Sequence, residues 1–348
     1  MMSQDSLSTT KRIEYIDALR GFTMFLVVFM HVADWCLNVR GDTVEYSFHR
    51  YLGLVRMPMF FLISGFVLYK QGVTWDVPYI IKFFKKKIPV QLIGPFIFFA
   101  AYVCINGYNL RDSMFNGPKY GYWFTFVLFE YFVFYAIARF LIRNWCADIV
   151  LLLMGSVFYT FSWPPIMDAI PIPNEILEFF SFKHWHYFIF FVLGTLLKKY
   201  FDMVQVWLDG KWLLPFCILF FFLVCAFSKL IPINGTLKGI PLSLTGLVIL
   251  FSFFRNKQAL FTRETRLGRV SQYVGRRTLD IYLIHYFLLP VNLSFVTVFV
   301  DHPMPIIEAF VSMCIAVIII AACLLIGNII RLSPFLAHWL FGVKLVQR

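Results

Sequence analysis

The strongest constraint on the fold is a series of long apolar segments separated by short polar connections. A membrane-spanning helix needs about 20 mostly apolar residues, and ten segments of this chain meet that description. The predicted spans are residues 18–37, 52–69, 88–106, 121–142, 148–164, 185–201, 212–230, 239–254, 279–299 and 306–330. We therefore predict an all-α, polytopic membrane protein with about ten transmembrane helices. It forms a single domain over residues 1–348, with a polar N-terminal tail at residues 1–17.

The composition excludes an ordinary soluble protein. Hydrophobic residues make up 60% of the chain and charged residues only 14%, whereas soluble domains average about 45–50% and about 25%. The net charge of +12 would suggest a nucleic-acid partner in a soluble protein. Here the basic residues lie in short connections between apolar segments, as membrane topology requires. We therefore predict membrane lipids as the surroundings and no nucleic-acid partner.

The distribution of basic residues predicts the topology. Roughly three quarters of the 31 Lys and Arg residues fall on one side of the ten predicted spans, and the basic side is normally cytoplasmic. Both termini are therefore expected in the cytoplasm, in a multi-pass protein of the cytoplasmic (inner) membrane. Two connections stand out. Residues 164–184 form a Pro-rich external segment long enough to lie along the membrane surface or to cap a cavity, and residues 255–278 form a basic internal loop.

The first predicted span carries an unusual stripe of ionisable residues. Arg20 and His31 are separated by eleven positions, which at about 100° per residue is three turns plus about 20°, so both face the same direction. Asp17 lies one turn before Arg20, and Asp34 one turn after His31. Ionisable side chains inside a membrane are costly and mark functional sites by default.

The depth of His31 suggests its role. If Arg20 lies at the cytoplasmic headgroups, His31 lies about 16 Å further in, near the middle of the bilayer. A histidine there can serve as a general base. The alternative is a histidine that hydrogen-bonds neighbouring helices together.

These residues and four later motifs resemble the membrane acyltransferase-3 family. The first is Asp17-Ala-Leu-Arg20-Gly21 followed by His31, an arginine and a histidine with ten residues between them. The others, in chain order, are Met57-Pro58-Met59-Phe60-Phe61-Leu62-Ile63-Ser64-Gly65-Phe66, Tyr122-Trp123-Phe124, the segment from His186-Tyr187-Phe188 to Gly194, and Gly275-Arg276-Arg277-Thr278-Leu279-Asp280-Ile281-Tyr282-Leu283-Ile284-His285. The resemblance runs in order along nearly the whole chain.

The resemblance implies an enzyme, an acyltransferase that moves groups other than aminoacyl groups. It implies transfer of an acyl group, often acetyl, from cytoplasmic acyl-CoA to a hydroxyl of a glycan, a lipid-linked sugar or a similar acceptor. Acyl-CoA would be a co-substrate, with no permanently bound cofactor. His31 would be essential, within a ten-helix core. One departure is that Lys82-Phe83-Phe84-Lys85-Lys86-Lys87 stands where the family commonly has an Arg-x-x-Arg pair. Lysine keeps the positive charge and loses the bidentate fork.

Each role in the predicted site has a plainer alternative. The expected donor-binding cations, which alternatively only set topology, are Arg20, Lys82, Lys85, Lys86, Arg276 and Arg277. His31 would deprotonate the acceptor hydroxyl or itself carry the acyl group. Ser64 would stabilise the oxyanion, or form part of a close-packing Ser-Gly pair. Asp17 would hold Arg20, or cap the helix.

Four further residues are expected to line the substrate cavity. They are Asp34, Trp123, Tyr282 and His285, although Trp123 also fits an interfacial belt and the last two fit an interfacial pair. No spacing typical of metal ligands is present, so no metal is expected. The alternative function is a transporter or exporter of a glycan or lipid-linked precursor, because intramembrane charges also mark transport paths.

Overall fold

The computed structural model describes residues 13–37, 48–161, 171–227, 235–290 and 304–343, which form helices and short connections and contain no β-strand. This confirms the all-α prediction. The helices are α1 (Glu14–His31), α2 (Phe48–Leu68), α3 (Val77–Ile88), α4 (Gly94–Ile105), α5 (Leu110–Met114), α6 (Trp123–Leu141), α7 (Cys146–Phe161), α8 (Asn174–Phe179), α9 (Phe188–Lys199), α10 (Phe201–Leu208), α11 (Leu213–Ala226), α12 (Gly235–Asn256), α13 (Arg266–Arg276), α14 (Thr278–Ile284), α15 (Pro305–Ile330) and α16 (Pro334–Phe341).

Five helical segments among the described residues are long and apolar enough to cross a membrane. They are Glu14–Cys36, Val77–Ile105, Trp123–Leu141, Gly239–Asn256 and Ile306–Ile330, and each overlaps a predicted span. The first is the most enclosed, because 78% of its most apolar 18-residue stretch is buried, against 28% for the last. The helix with the ionisable stripe is therefore central in the fold, while several others present apolar faces outward.

The other five predicted spans correspond to shorter or interrupted helices. Two are the apolar helices Leu52–Leu68 and Cys146–Phe161, and a third is α9. A fourth, residues 212–230, contains α11, which is bent by 74° from α10. Of residues 279–299 only the part up to 290 is described. Parts of two other predictions, the N-terminal tail and the segment 164–184, also lie outside the described residues. The number of spans and the location of the termini stay predictions.

The third span begins earlier than the sequence pattern predicts. Helix α3 starts at Val77, and a π-helical turn, Pro89–Ile93, joins it to α4. The Asp76 carboxylate caps α3 by accepting a hydrogen bond from the Tyr79 amide at 2.9 Å. The cap stabilises the start of the helix, and lysine is itself a good helix former, so the lysines lie on a helix rather than in a loop.

The predicted internal loop 255–278 also contains a helix. Thr265 caps the start of α13 by accepting a hydrogen bond from the Gly268 amide at 2.9 Å. Helix α13 packs along α1, where Gly21 and Gly275 bring the two backbones into contact. A Cβ atom on Gly275 would overlap the backbone carbonyl of Asp17. The glycines of the first and last motifs therefore hold two distant parts of the chain together.

Helices α2 and α9 cross in the same manner. A Cβ atom on Gly65 would overlap the carbonyl of Phe191, and one on Gly194 would overlap the carbonyl of Leu62. Close approach of this kind is how small residues pack membrane helices. Gly65 is thus a packing residue, in line with the plainer interpretation of the Ser-Gly pair.

Candidate functional site

A cavity of about 850 Å³ lies between α1, α2, α3, α6 and α14. Seven of the predicted site residues line it, from five different helices. They are Arg20, His31, Ser64, Lys82, Lys86, Trp123 and Tyr282. The structure therefore brings the predicted motifs together around one space.

The cavity has a strongly basic end. Arg20 lies in the first turns of α1. Helix α2 packs beside α1 and runs in the opposite direction, so the C-terminal end of α2 is level with Arg20. The cations lining this end are Arg20, Lys70, Lys82, Lys86 and Lys87. His31 and Arg56 lie towards the other end, about 16 Å along α1 from Arg20. The space thus runs from a cluster of cations to a histidine.

His31 is hydrogen-bonded to His285. Nδ1 of His31 lies 2.9 Å from Nε2 of His285, and the two rings are within 6° of parallel. Nδ1 of His285 lies 2.9 Å from the carbonyl oxygen of Ile281. A carbonyl only accepts, so Nδ1 of His285 carries the hydrogen, and Nε2 of the neutral ring accepts one from Nδ1 of His31.

This chain of hydrogen bonds fixes the tautomer of His31. With Nδ1 of His31 donating, Nε2 is the unprotonated nitrogen and carries a free lone pair. His285 is completely buried, whereas His31 lines the cavity. A histidine oriented by a buried partner in this way is suited to accept a proton.

Hydrogen bonds to the Gly121 carbonyl hold α14 in place. Tyr282 and Tyr286 both donate hydrogen bonds to the Gly121 carbonyl, at 2.8 and 3.0 Å. Gly121 has a φ of +95°, a conformation that side-chain-bearing residues avoid, and a Cβ there would also overlap Tyr286. The start of α6 and the I-Y-x-x-H segment are therefore locked together, and His285 is set against His31.

Helix α1 changes its winding directly after His31. A π-helical turn, Val32–Cys36, follows it, and π turns often occur at functional sites. The wider turn interrupts the 3.6-residue period that placed Asp34 on the stripe with His31. Asp34 does not line the cavity, and its carboxylate lies 4.0 Å from Arg56 instead.

Arg56 is the cation at the histidine end of the cavity. Its side chain is 18% exposed, and its Nε and Nη1 atoms are buried without a hydrogen-bond partner among the described residues. Buried guanidinium donors normally have acceptors. Arg56 therefore lines the same cavity as His31 and holds two unpaired donors buried beside it.

Trp123 forms an aromatic wall with the segment before α9. Its ring stacks on His184 with centroids 3.7 Å apart and on Tyr187 at 6.0 Å, and all three residues line the cavity. The described part of the segment 164–184 therefore closes one side of the cavity, as the sequence interpretation allowed.

A buried lysine fastens that segment to the connection before α6. The Lys119 ammonium donates to the Glu178 carbonyl at 3.0 Å and to the Ser181 hydroxyl at 2.8 Å. Lys119 is 1% exposed, and burial lowers its pKa to about 8, against the opposing attraction of Glu130 and Glu178. This clasp holds His184 in position over the cavity.

Five predicted site residues lie away from the cavity, apart from the buried His285. Asp17 is buried where its backbone faces α13. Lys85 and Arg276 are exposed. Arg277 forms an ion pair with Asp280 at 3.3 Å. The fifth is Asp34, described above. Within the cavity, Arg20 donates to the Thr278 hydroxyl at 3.2 Å, and the Ser64 hydroxyl donates to the Phe60 carbonyl at 2.8 Å.

Arg56, Lys70 and Lys87 line the cavity and are absent from the predicted site. Arg56 was detectable, because it is an ionisable residue within the predicted span 52–69. Lys87 belongs to the lysine run. A helical wheel can separate the lysines that face the cavity from the others only once the run is known to be helical. Among the described residues, no group of three or more His, Cys, Asp or Glu side chains is arranged to hold a metal ion.

Comparison with known proteins agrees with this arrangement. The family model described as an acyltransferase domain, that of the acyltransferase-3 family, matches residues 13–325. No match was found among curated proteins or among solved structures. The matched region contains α1 to α14, every residue that lines the cavity and most of α15. The chain therefore belongs to the acyltransferase-3 family.

Proposed function

We propose that this multi-pass membrane acyltransferase transfers an acyl group, typically acetyl, from acyl-CoA to a hydroxyl group. The acceptor would be a glycan, a lipid-linked sugar or a similar molecule, and the enzyme would act in the cytoplasmic membrane. The observation that carries the proposal is the His31–His285 hydrogen bond, 2.9 Å long. It leaves the basic nitrogen of His31 unprotonated in a cavity whose far end is lined with cations.

In the proposed reaction His31 is the general base. Its Nε2 takes the proton of the acceptor hydroxyl as the oxygen attacks the thioester carbonyl. The C–S bond then breaks, the new ester leaves, and the thiolate takes up that proton as CoA-SH. His285 keeps Nδ1 of His31 protonated throughout and accepts its hydrogen bond while the ring is positively charged.

The negative charge on the attacked carbonyl needs a donor. Arg56 supports this role, because Nε and Nη1 have no partner among the described residues. Ser64 lines the same cavity, but its hydrogen is donated to Phe60. Ser64 can serve the oxyanion only after its hydroxyl rotates, so Arg56 is the first candidate.

The two ends of the cavity suit different substrates. Lys82, Lys86 and Arg20 offer positive charge for the phosphates of acyl-CoA. Trp123 and Tyr187 offer flat aromatic faces of the kind that line small-molecule sites. The donor would therefore extend from the basic end towards His31, and the acceptor would approach from the aromatic side.

The test is acyl transfer by purified wild-type protein and the His31→Ala variant, with radiolabelled acetyl-CoA and a panel of hydroxyl acceptors. Wild type should form labelled ester and be stabilised against heat by acyl-CoA. The variant should lose activity by about 10²- to 10⁴-fold. Equal transfer by both proteins would refute the role of His31, and mass spectrometry of trapped enzyme would reveal an acyl-histidine if one forms.

The transporter interpretation gains no support from the family match. It would require acceptor flux across proteoliposomes containing the wild-type protein, without ester formation from any acyl-CoA. That result would overturn the proposed function.

A further inference from the structure

A second cavity, of about 400 Å³, adjoins the basic end of the first. Leu68, Lys70 and Tyr79 line both cavities. The second cavity lies among the end of α2, the start of α3, and the ends of α6 and α9. The two spaces are therefore neighbours, separated by no more than these three side chains.

The second cavity combines cations with aromatic rings. Its aromatic residues are Tyr69, Trp75, Tyr79, Tyr135 and Trp145, and its charged residues are Lys70, Asp76, Arg139, Arg143 and Lys199. Stacking faces next to positive charge are what proteins use to bind a base joined to phosphates.

The cations of this cavity divide into two groups. Arg139 and Lys199 both pair with the buried carboxylate of Asp148, which fixes them in place and neutralises part of their charge. Lys70 and Arg143 are exposed and form no ion pair within the described ranges. Arg139 and Lys199 are thus held by Asp148, and Lys70 and Arg143 are available to a ligand.

Trp145 is the most exposed ring of the cavity, with 64% of its surface accessible. It lies in the short connection between α6 and α7, two positions after Arg143. An exposed tryptophan and an exposed arginine at the opening are placed to cover one face of a planar group and to meet its phosphate.

We propose that the second cavity binds the 3′-phosphorylated adenosine part of acyl-CoA, while the pantetheine arm extends through the larger cavity to His31. The adenine stacks on Trp145, and Arg143 and Lys70 meet the 3′-phosphate. The pyrophosphate then lies towards Lys82, Lys86 and Arg20 in the larger cavity. This inference rests on the proposed function, because it assigns a position to the nucleotide of the same donor.

The test compares donors with and without the nucleotide. Binding of CoA and of 4′-phosphopantetheine is measured by calorimetry on detergent-solubilised full-length protein. Arg143→Ala and Trp145→Ala are the test variants. Lys211→Ala and Trp212→Ala are matched controls, because Lys211 lies 5.6 Å over the Trp212 ring in another connection and Trp212 is 73% exposed.

We expect each test variant to weaken CoA binding about tenfold or more, the loss associated with one stacked base or charged contact. Binding of 4′-phosphopantetheine should stay unchanged, and both controls should match wild type with both ligands. CoA binding within twofold of wild type in both test variants would overturn the nucleotide assignment and leave the acyltransferase proposal standing. Equal weakening of both ligands would also overturn it. Failure of the wild type to bind CoA at all would instead overturn the proposed function itself, and this inference with it.

Discussion

Nδ1 of His31 and Nε2 of His285 lie 2.9 Å apart although 254 positions separate the two residues in the sequence. The Ile281 carbonyl, 2.9 Å from the other nitrogen of His285, sets the direction of the hydrogen bond between them. In the proposed reaction His285 therefore acts through His31, as a positioning residue.

Replacement of His285 should show how much activity depends on the orientation of the His31 ring, since the ring itself is still present. His285→Ala removes the acceptor for Nδ1 of His31, so that both tautomers become populated and the ring turns more freely. We expect kcat to fall by about 10- to 100-fold, less than in His31→Ala, with the KM for acyl-CoA unchanged. His285→Gln supplies an amide oxygen as acceptor and should restore part of kcat. An equal loss in the Ala and Gln variants would contradict the tautomer argument.

The lysines of α3 should differ according to whether they face the cavity. Lys82 and Lys86 line it and Lys85 does not, so Lys82→Ala and Lys86→Ala each remove a cation from the path of the donor phosphates. We expect the KM for acyl-CoA to rise about five- to tenfold for each, and the effect to shrink at high salt. Lys85→Ala should change KM by less than about twofold. Initial-rate kinetics on the three variants give the KM for acyl-CoA. A similar rise of KM in all three would indicate that the lysines only set the membrane topology.

The glycine crossing of α2 and α9 predicts a stability difference within one helix. Gly65→Ala places a methyl group against the Phe191 carbonyl, which forces the helices apart at a cost of about 1–3 kcal/mol. Gly53→Ala, on the same helix, meets nothing within 4 Å and should leave stability unchanged or slightly higher. Thermal denaturation in detergent measures both. Similar melting temperatures for the two variants would show that the close crossing contributes little.

The buried amine of Lys119 predicts a pH-dependent stability. Burial lowers its pKa to about 8 from the usual 10.5, so between these values the unfolded chain binds more protons than the folded one. The contribution of this residue to stability therefore rises with pH through that window. The melting temperature of wild type, relative to Lys119→Met, should increase between about pH 8 and pH 10.

Lys183→Met is the control for that measurement. Lys183 lies in the same clasped segment and pairs with Glu178 at 2.8 Å, but 55% of its side chain is exposed, so its replacement removes a lysine without removing a buried amine. If the Lys119→Met difference rises with pH no more than the Lys183→Met difference, the amine is not buried in the manner described.

Regular helical periodicity explains what the sequence predicts well. Arg20 and His31 lie on uninterrupted α-helix, and both line the cavity as their spacing indicates. Asp34 departs from the prediction because the π turn breaks that period. The lysines of α3 were assigned to a loop, since polarity alone does not reveal the cap formed by Asp76.

Contacts between distant segments are the part that the sequence does not reveal. His285 was expected to line a cavity, but its hydrogen bond to His31 depends on the packing of α14 against α1, which no local pattern encodes. The second cavity likewise assembles residues from three separate stretches of the sequence, 68–79, 135–145 and residue 199. Each of its cations alone is indistinguishable from a topology signal.

The π turn after His31 also bears on how this helix can change over evolutionary time. Inserting or deleting one residue in a regular helix turns everything beyond it by about 100°. In a π turn the extra residue is taken up within five positions, Val32–Cys36, and the helix before it keeps its phase. Length variation at this end of α1 therefore redirects Asp34 and Trp35 while His31 keeps its hydrogen bond to His285. The surroundings of His31 can diversify in this way without loss of the histidine pair.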